Sequence, residues 1–428
     1  MGNSFHTIVV GGGCLGCAAA ISLQRRLRRS PATSQARVCV IEKSVIGSGL
    51  TARHSGIVRA ANAVPRAARM AQRATDMWET LDEHWGVAAP YTRCGAVWIV
   101  RDAGAGQNAR WEALERSLDG LGINFKRVDR ETAAALCTSQ VALGEREIYF
   151  SEPGALQFDP ADVRRTLYEA LAANEIEVME RTPVEGFERS ADRITAVNTP
   201  HGALQTGFVV NAAGPWSPAL FSSLGLTIPV SVEPVHVGNW LTSRRDMTEG
   251  MPIIADYVNL AYFRLWRDGE IHMHQPRKRS MRETARAFAE NPMAMVGADF
   301  LNDPTNQGLG YSQIRVFEEI AQRRFSGMRN AVYGSGYRSY FDITPDLKFI
   351  LGPDHRMPNL IHSLGAGQSF KYTPVFGEIV ADCILGAHGE GEDLSEFAIG
   401  RFDERYMQNF WRQVAGSDHA LETESTSL

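Results

Sequence analysis

The chain lacks most of the features that would mark a role other than catalysis. None of its 428 residues falls in an apolar run approaching the ~18 residues of a membrane-crossing helix. Charge of one sign is not in excess: 44 basic and 49 acidic residues leave a net −5, which gives no electrostatic case for nucleic acid. The one basic cluster, Arg25, Arg26, Arg28 and Arg29, falls at the end of an expected helix, where cations suit the dipole, and reads as a solvated face. Six scattered cysteines form no disulfide framework. Cys14 and Cys17 make a Cys-x-x-Cys, but no second pair completes a zinc site, so no metal is expected. No basic leader with an apolar core precedes the first strand. The start Met-Gly-Asn-Ser-Phe-His lacks the Ser or Thr that myristoylation wants at its sixth position. The expectation is a cytoplasmic chain, too long for one hydrophobic core and therefore of two domains.

The most informative segment is Ile8 to Ala20, Ile-Val-Val-Gly-Gly-Gly-Cys-Leu-Gly-Cys-Ala-Ala-Ala. A buried strand, Thr7 to Val10, feeds a tight turn, and a helix follows over Ala18 to Leu27. Gly11 permits the turn, Gly13 lets backbone touch a pyrophosphate, and Gly16 lets helix pack on strand. Free N–H groups at the helix start, around Cys14 and Leu15, then face the phosphates. The spacing puts a dinucleotide at the amino-terminal edge of a parallel sheet. A second strand, Arg37 to Ile41, ends in Glu42, whose carboxylate suits two ribose hydroxyls and repels a 2′-phosphate. The competing reading of the turn alone is another α/β protein, such as a methyltransferase.

Lys43 to Arg59 is crowded with small residues, among them Ser48, Gly49, Thr51, Ser55 and Gly56, so backbone can approach a flat ligand. His54 in this stretch is a candidate ligand contact or a solvated loop histidine. A long amphipathic helix is expected over Pro65 to His84. Further helices are expected at 107–121, 129–137 and 159–174, and a hairpin pairs Val184–Phe187 with Ile194–Asn198. Phe208 to Ser217 is a buried strand running into the small turn Ala213-Gly214, with Trp216 beside it. Short β runs occupy 228–275, with a turn at Arg267-Asp268-Gly269; residues 278–330 read as mostly helical. A strand, a glycine turn and a helix recur near the end: Leu360–Leu364, then Gly365-Ala366-Gly367-Gln368-Ser369-Phe370-Lys371, then Pro374–Leu385. The tail after Gln413 is polar and acidic and reads as disordered.

Taken together, these segments resemble the amine- and amino-acid-oxidising flavoproteins of the D-amino-acid oxidase superfamily, above all the sarcosine oxidase and dimethylglycine dehydrogenase branch. The likeness covers about residues 5–390 and is strongest at Gly11–Gly16 with Glu42, Gly47–Arg59, Asn211–Ser217 and Tyr340–Lys371. It implies an α/β fold, α+β overall: a Rossmann-like FAD-binding domain with a parallel sheet, and a substrate domain with a mainly antiparallel sheet and helices. The expected division is 1–90, 150–228 and 344–413 for the FAD domain, and 91–149 with 229–343 for the substrate domain.

The resemblance also implies roles. Ile57-Val58-Arg59 and the Gly365–Lys371 turn match the segments whose arginine and lysine hold a substrate carboxylate. A guanidinium fork and an ammonium point charge suit that group. His274 matches a histidine near the substrate, and Tyr262 on the partner strand walls the pocket or simply packs in the core. The FAD contacts implied are Gly11, Gly13, Cys14, Leu15, Gly16, Glu42, Lys43, Ser48, Gly49, Thr51, Ser55, Gly56, Val184, Ala213, Gly214 and Trp216. The second turn adds Gly365, Gly367, Gln368, Ser369, Phe370 and Lys371. Backbone N–H groups over Gly365–Ser369 are expected to stabilise negative charge on the reduced flavin.

Two departures carry consequences. Ser339 stands where covalent members carry a cysteine, so FAD is expected without that link. Glu270 falls where oxidases carry the lysine that assists oxygen, which leaves oxidase and dehydrogenase both open. The expected reaction is hydride transfer from a small carboxylate-bearing amine to flavin, giving an imine, with oxygen or a carrier as acceptor. The alternatives are a 2-hydroxy-acid dehydrogenase or a flavin-binding subunit of a multi-chain enzyme. A homo-oligomer is also open.

Overall fold

The computed structural model describes residues 3–137, 140–242, 249–267, 270–276, 308–387, 393–402 and 405. The expectations for 278–307, for the turn at 268–269 and for the tail after Gln413 lie outside these residues. The described chain begins β1 (Ser4–Val10), α1 (Cys14–Leu27), β2 (Val38–Ile41), β3 (Ile57–Val58), α2 (Pro65–Glu79), α3 (Leu81–Trp85), β4 (Thr92–Arg93), β5 (Ala96–Arg101), α4 (Ala105–Asp119), β6 (Lys126–Val128), α5 (Arg130–Leu136), β7 (Glu147–Glu152) and β8 (Leu156–Gln157). It continues α6 (Pro160–Ala173), β9 (Glu177–Met179), β10 (Gly186–Ser190), β11 (Arg193–Thr199), β12 (Gly202–Asn211), α7 (Ser217–Phe221), β13 (Ser231–Leu241), β14 (Ile253–Asp256), β15 (Ala261–Arg267) and β16 (Glu270–Pro276). Then come α8 (Tyr311–Arg324), β17 (Val332–Ile343), β18 (Ile350–Asp354), β19 (Met357–Leu364) and α9 (Thr373–Leu385).

The first large sheet has a parallel centre, β9-β2-β1-β12-β19, and an antiparallel extension through β11, β10 and β18. Its central strands read as unbroken apolar runs because both faces are buried. Val9, Val38, Val40, Val210 and Ile361 face a core built with α1, α2, α6 and α9. Ile8, Val10, Cys39, Ile41, Val209 and Leu360 alternate to the opposite core, against Phe221 of α7. The first glycine turn leaves the carboxyl end of β1, not the amino-terminal edge of the sheet, because that is where the N–H groups of α1 become accessible.

The second large sheet runs β17-β13-β16-β15-β14-β5-β7-β6 and is antiparallel except for β14 beside β5. Since β7 belongs wholly to it, a domain boundary between 149 and 150 would cut a strand. A small sheet, β3-β8-β4, completes the described strands. The helix expected over Pro65 to His84 is two, because Thr80 leaves helical geometry (φ −115°, ψ 36°) between α2 and α3. Among the described residues no helix is long and apolar enough to cross a membrane.

The α1–α9 contact sets how the two glycine turns meet. Both helices start beyond the ends of β1 and β19, the strands on either side of β12, and they pack backbone to backbone at Gly377. A Cβ at Gly377 would stand 2.5 Å from Ala18 O and 2.8 Å from Ser22 Oγ. Arg26 of α1 then pairs with Glu378 and Asp382 of α9. Gly377→Ala should push the helices apart and cost about 1–3 kcal/mol, the range for overpacking a tight core. Urea denaturation checks this, and an unchanged midpoint would refute the close contact.

Candidate active site

A cavity of about 770 Å³ opens where the two large sheets meet, lined by both glycine turns, the Ser48–Arg59 loop, the Asp256–Tyr262 segment and the end of β17. Gly11 has φ +109°, which favours glycine, and a Cβ there would stand 2.4 Å from Ala212 O. Gly16 packs against the same turn, its position leaving 1.9 Å between a Cβ and Gly11 O. Gly13 is the N-cap of α1, with no side chain capping the helix and no acid in its first turn. Cys14 N donates to Thr51 Oγ1 at 2.9 Å. Glu42 lies at the cavity edge; one carboxylate oxygen accepts from Gly12 N and the other from Ser44 N, each at 2.8 Å. Lys43 lies over the Trp216 ring, 3.6 Å from its centroid.

The second turn differs from its sequence expectation. Gly365 N and Gly367 N donate to the two carboxylate oxygens of Asp342, at 3.1 and 3.2 Å, so these two N–H groups are committed to the protein rather than to a ligand. Residues Ser369–Tyr372 form a 3₁₀ turn before α9. Lys371 in that turn lines the cavity and is buried, and its Nζ makes no hydrogen bond. Burial, then the charge of Arg59, holds the Lys371 pKa well below its ordinary value, and Glu152 opposes this only in part. Trp78 Nε1 fixes the segment by donating to Lys371 O at 3.2 Å.

Arg59, at the end of β3, is also buried. Its Nη1 donates to Ala61 O at 2.8 Å, its Nη2 reaches Tyr262 Oη at 3.5 Å, and its guanidinium covers Trp98 at 4.6 Å. Glu152, the nearest buried carboxylate, is spent on other donors: Ala60 N, Ala61 N and Trp98 Nε1. Tyr257 Oη meets Tyr262 Oη at 2.5 Å, and the Tyr257 ring stacks on Trp98. Behind Tyr257, Arg324 grips Asp256 through Nε and Nη2 (2.7 and 3.1 Å) and Glu147 through Nη2 and Nη1 (2.9 and 3.2 Å). His54 stacks on Phe370 and accepts from Gly56 N through Nδ1. Burial and the Arg264 charge push its pKa down to about 3, so it is neutral, and its Nε2 has no partner.

These features meet the comparisons with known proteins. The family model described as "FAD dependent oxidoreductase" (DAO) matches residues 6–383. The chain belongs to this family. It is 20% identical over 427 residues to 4-methylaminobutanoate oxidase (formaldehyde-forming) of Paenarthrobacter nicotinovorans, covering 97% of this chain and 48% of that protein. It is 22% identical over 408 residues to mitochondrial dimethylglycine dehydrogenase of Rattus norvegicus, covering 93% and 45%. The chain thus spans about half the length of these curated relatives. Its fold is similar to that of L-proline dehydrogenase from P. horikoshii, with a TM-score of 0.78 at 20% identity, covering 94% of this chain and 98% of that one.

The residues present fit the family's FAD. A helix start with no acid in its first turn, its Cys14 N–H met by the Thr51 hydroxyl, behind close-packed glycines suits a diphosphate. His54 Nε2 and Lys371 Nζ are orphaned polar atoms beside the cavity. Of the residues expected from sequence, Gly11, Gly13, Cys14, Leu15, Glu42, Lys43, Ser48, Gly49, Thr51, Ser55, Arg59, Val184, Ala213, Gly214, Trp216 and Tyr262 line the cavity, as do Gly365 and Gly367–Lys371. Gly16 and Gly56 do not: Gly16 packs on Gly11, and a Cβ at Gly56 would stand 2.0 Å from Phe158 O. His274 pairs with Tyr262 and Val237 in the sheet, but its side chain lies outside the described residues. Glu270 sits at the far end of that hairpin and does not line the cavity; three residues of strand separate it from His274. The buried Ser339 does line it. Sequence reasoning missed Tyr257 and Asp342.

The Ala213-Gly214 turn is held from below by a buried chain. Asn211 Oδ1 accepts from Ala213 N and Ser217 Oγ, which turns Asn211 Nδ2 toward His362 Nδ1 at 3.1 Å. His362 Nε2 must then donate to Asp354 at 3.0 Å, an arrangement open only to neutral histidine. Burial holds the His362 pKa below its ordinary value, although Asp354 opposes the shift. The unfolded chain therefore takes up a proton first as pH falls through 6.5, and stability drops from there toward the lower folded value. His362→Gln should flatten that part of the urea-stability profile between pH 7.5 and 5.5; an equal slope in both proteins would refute this source.

Proposed function

We propose that the chain oxidises a small amine that carries a carboxylate, an amino acid or N-alkyl amino acid, with non-covalent FAD. The observation that carries this reading is the buried pair Arg59 and Lys371: both line one cavity, and neither forms an ion pair with a carboxylate of the protein. Lys371 is the costly member to keep charged, since burial and the Arg59 charge hold its pKa down, and an anionic ligand would relieve that cost. Bound FAD would accept a hydride from the C–H beside the substrate nitrogen. The protein's share is orientation: Arg59 offers a fork and Lys371 a point charge, while Tyr262 and Tyr257 wall the same end. Glu42 would receive the ribose, and the start of α1 the diphosphate. The division of the chain at its two large sheets supports a discontinuous FAD domain and a substrate domain.

An anaerobic screen of amino acids, N-methyl amino acids and 2-hydroxy acids, read by flavin bleaching, tests the substrate class. Bleaching by 2-hydroxy acids alone would overturn the amine reading, and later admission of air separates oxygen from a carrier as acceptor. Lys371→Met supplies the sharper test. Loss of a charged hydrogen bond to substrate, about 1.5–3 kcal/mol, should raise KM by roughly ten- to a hundredfold. FAD affinity should hold, and the substrate-free protein should melt at a higher temperature, because a buried cation without a partner is gone. Unchanged KM would remove Lys371 from the carboxylate site.

A further inference from the structure

The reading above leaves one buried acid in the cofactor cavity without work beyond its turn. Asp342, at the end of β17, lines the cavity and is 7% exposed. Its partners are two backbone N–H groups, Gly365 and Gly367. No cation is among them. The titratable group facing it from α1 is the Cys14 thiol, whose pKa Asp342 helps to raise. Lys371 in the adjoining turn is influenced by Arg59 and Glu152 rather than by Asp342. Beyond β17, Asp346 is taken by Arg401, and Lys348 by Glu396. Among the described residues, then, Asp342 is a buried carboxyl with no counter-ion, beside the same helix start that fits a diphosphate.

We propose that Asp342 is a proton-linked regulator of FAD binding: its carboxylate repels the anionic cofactor, so FAD binds with uptake of a proton at this residue. The inference rests on FAD occupying this cavity and not on the identity of the substrate. The electrostatics run one way. A carboxylate in a low-dielectric wall raises the cost of bringing a diphosphate to Cys14, and the diphosphate raises the cost of keeping the carboxylate ionised. The two effects are reciprocal, so whatever proton Asp342 gains on binding appears as pH dependence of affinity. Burial already pushes the Asp342 pKa up to about 6, with the Gly367 and Gly365 N–H bonds resisting only in part. Below that value the carboxyl is neutral with or without FAD, and affinity is flat. Above it, affinity falls until the pKa of the FAD-bound form is passed.

A merely structural Asp342 predicts something different. The turn would then need the carboxylate as a double acceptor, and Asp342→Asn, which offers one acceptor oxygen, would weaken FAD at every pH alike. The test measures FAD affinity by quenching of flavin fluorescence on the apoprotein from pH 5.5 to 8.5. The wild type should bind roughly tenfold more weakly at the high end, the effect of a one-unit coupled shift. D342N should bind with a flat profile and more tightly than wild type at pH 8.5, and D342S, also uncharged, should do the same. A flat wild-type profile overturns the proposal without any variant having to fold. Wild-type slope retained in D342N or D342S overturns it as well. Failure of FAD to bind at any pH would instead strike the cofactor assignment.

Discussion

The constraint on which the site depends is the backbone contact between two helices. α1 and α9 each follow a glycine turn, and each must lie close on a parallel sheet. Gly377 against Ala18 lets them do so, while Gly16 against Gly11 and Ala212 seats the start of α1 on its own turn. A larger residue at either place would separate the turns and spread the cavity edge. Because the contact is tight, the start of α1 and the Gly365–Lys371 segment reach the same cavity from two points more than 300 residues apart in sequence. Arg26 with Glu378 and Asp382 adds a charged clasp at the other end, but such partly exposed pairs contribute little beside the packing.

The contact also decides where charge is stored. Lys371 sits directly before α9, so the helix that positions the second turn also drags an ammonium out of water. Trp78 holds the Lys371 carbonyl, which leaves the side chain no easy route to solvent. Nearby, Glu152 could have neutralised Arg59, yet its oxygens are bound to two backbone N–H groups and an indole. That arrangement shapes the loop around Arg59, and Glu152 acts on the guanidinium only through space, without pairing with it. On the proposed reading, stability is given up at the place where an anion would be held, a trade that active sites commonly make.

How much of this was legible in the sequence follows from the range of each interaction. Gly11 to Gly16 and Glu42 are local: strand, turn and helix adjoin, and apolar runs betray strands buried on both faces. Arg59 and Lys371 were legible only through a resemblance, since nothing local distinguishes them from surface cations. Tyr257 was not legible, because its place depends on β14 running parallel to β5 and on Arg324, 68 residues away, fixing Asp256. The role of Asp342 depends on a turn 23 residues on. The expected N–H donors at Gly365 and Gly367 failed for the same reason: a motif shows where donors are, not which acceptor reaches them first. Glu270 failed on register, since hairpin pairing sets its distance from Tyr262 and residue order alone does not.

The acids around the cavity bear on how the amine of the proposed substrate would be received. Four line it: Glu42, Glu185, Asp256 and Asp342. Glu42 is held by Gly12 and Ser44, and Glu185 adjoins Val184 at that edge. Asp342 is held by the second turn, and Asp256, the acid beside Tyr257, is committed to Arg324 and to the N–H groups of Val258 and Asn259. The Arg59–Lys371 end therefore offers cations and phenols, but no uncommitted carboxylate among the described residues. An ammonium would meet like charge there and find no counter-ion, whereas a neutral amine would not. On the proposed reading, recognition by the carboxylate and entry of the amine without its proton would follow from one arrangement of charge, and a neutral nitrogen, with its lone pair available, is the form from which a neighbouring C–H is most readily oxidised.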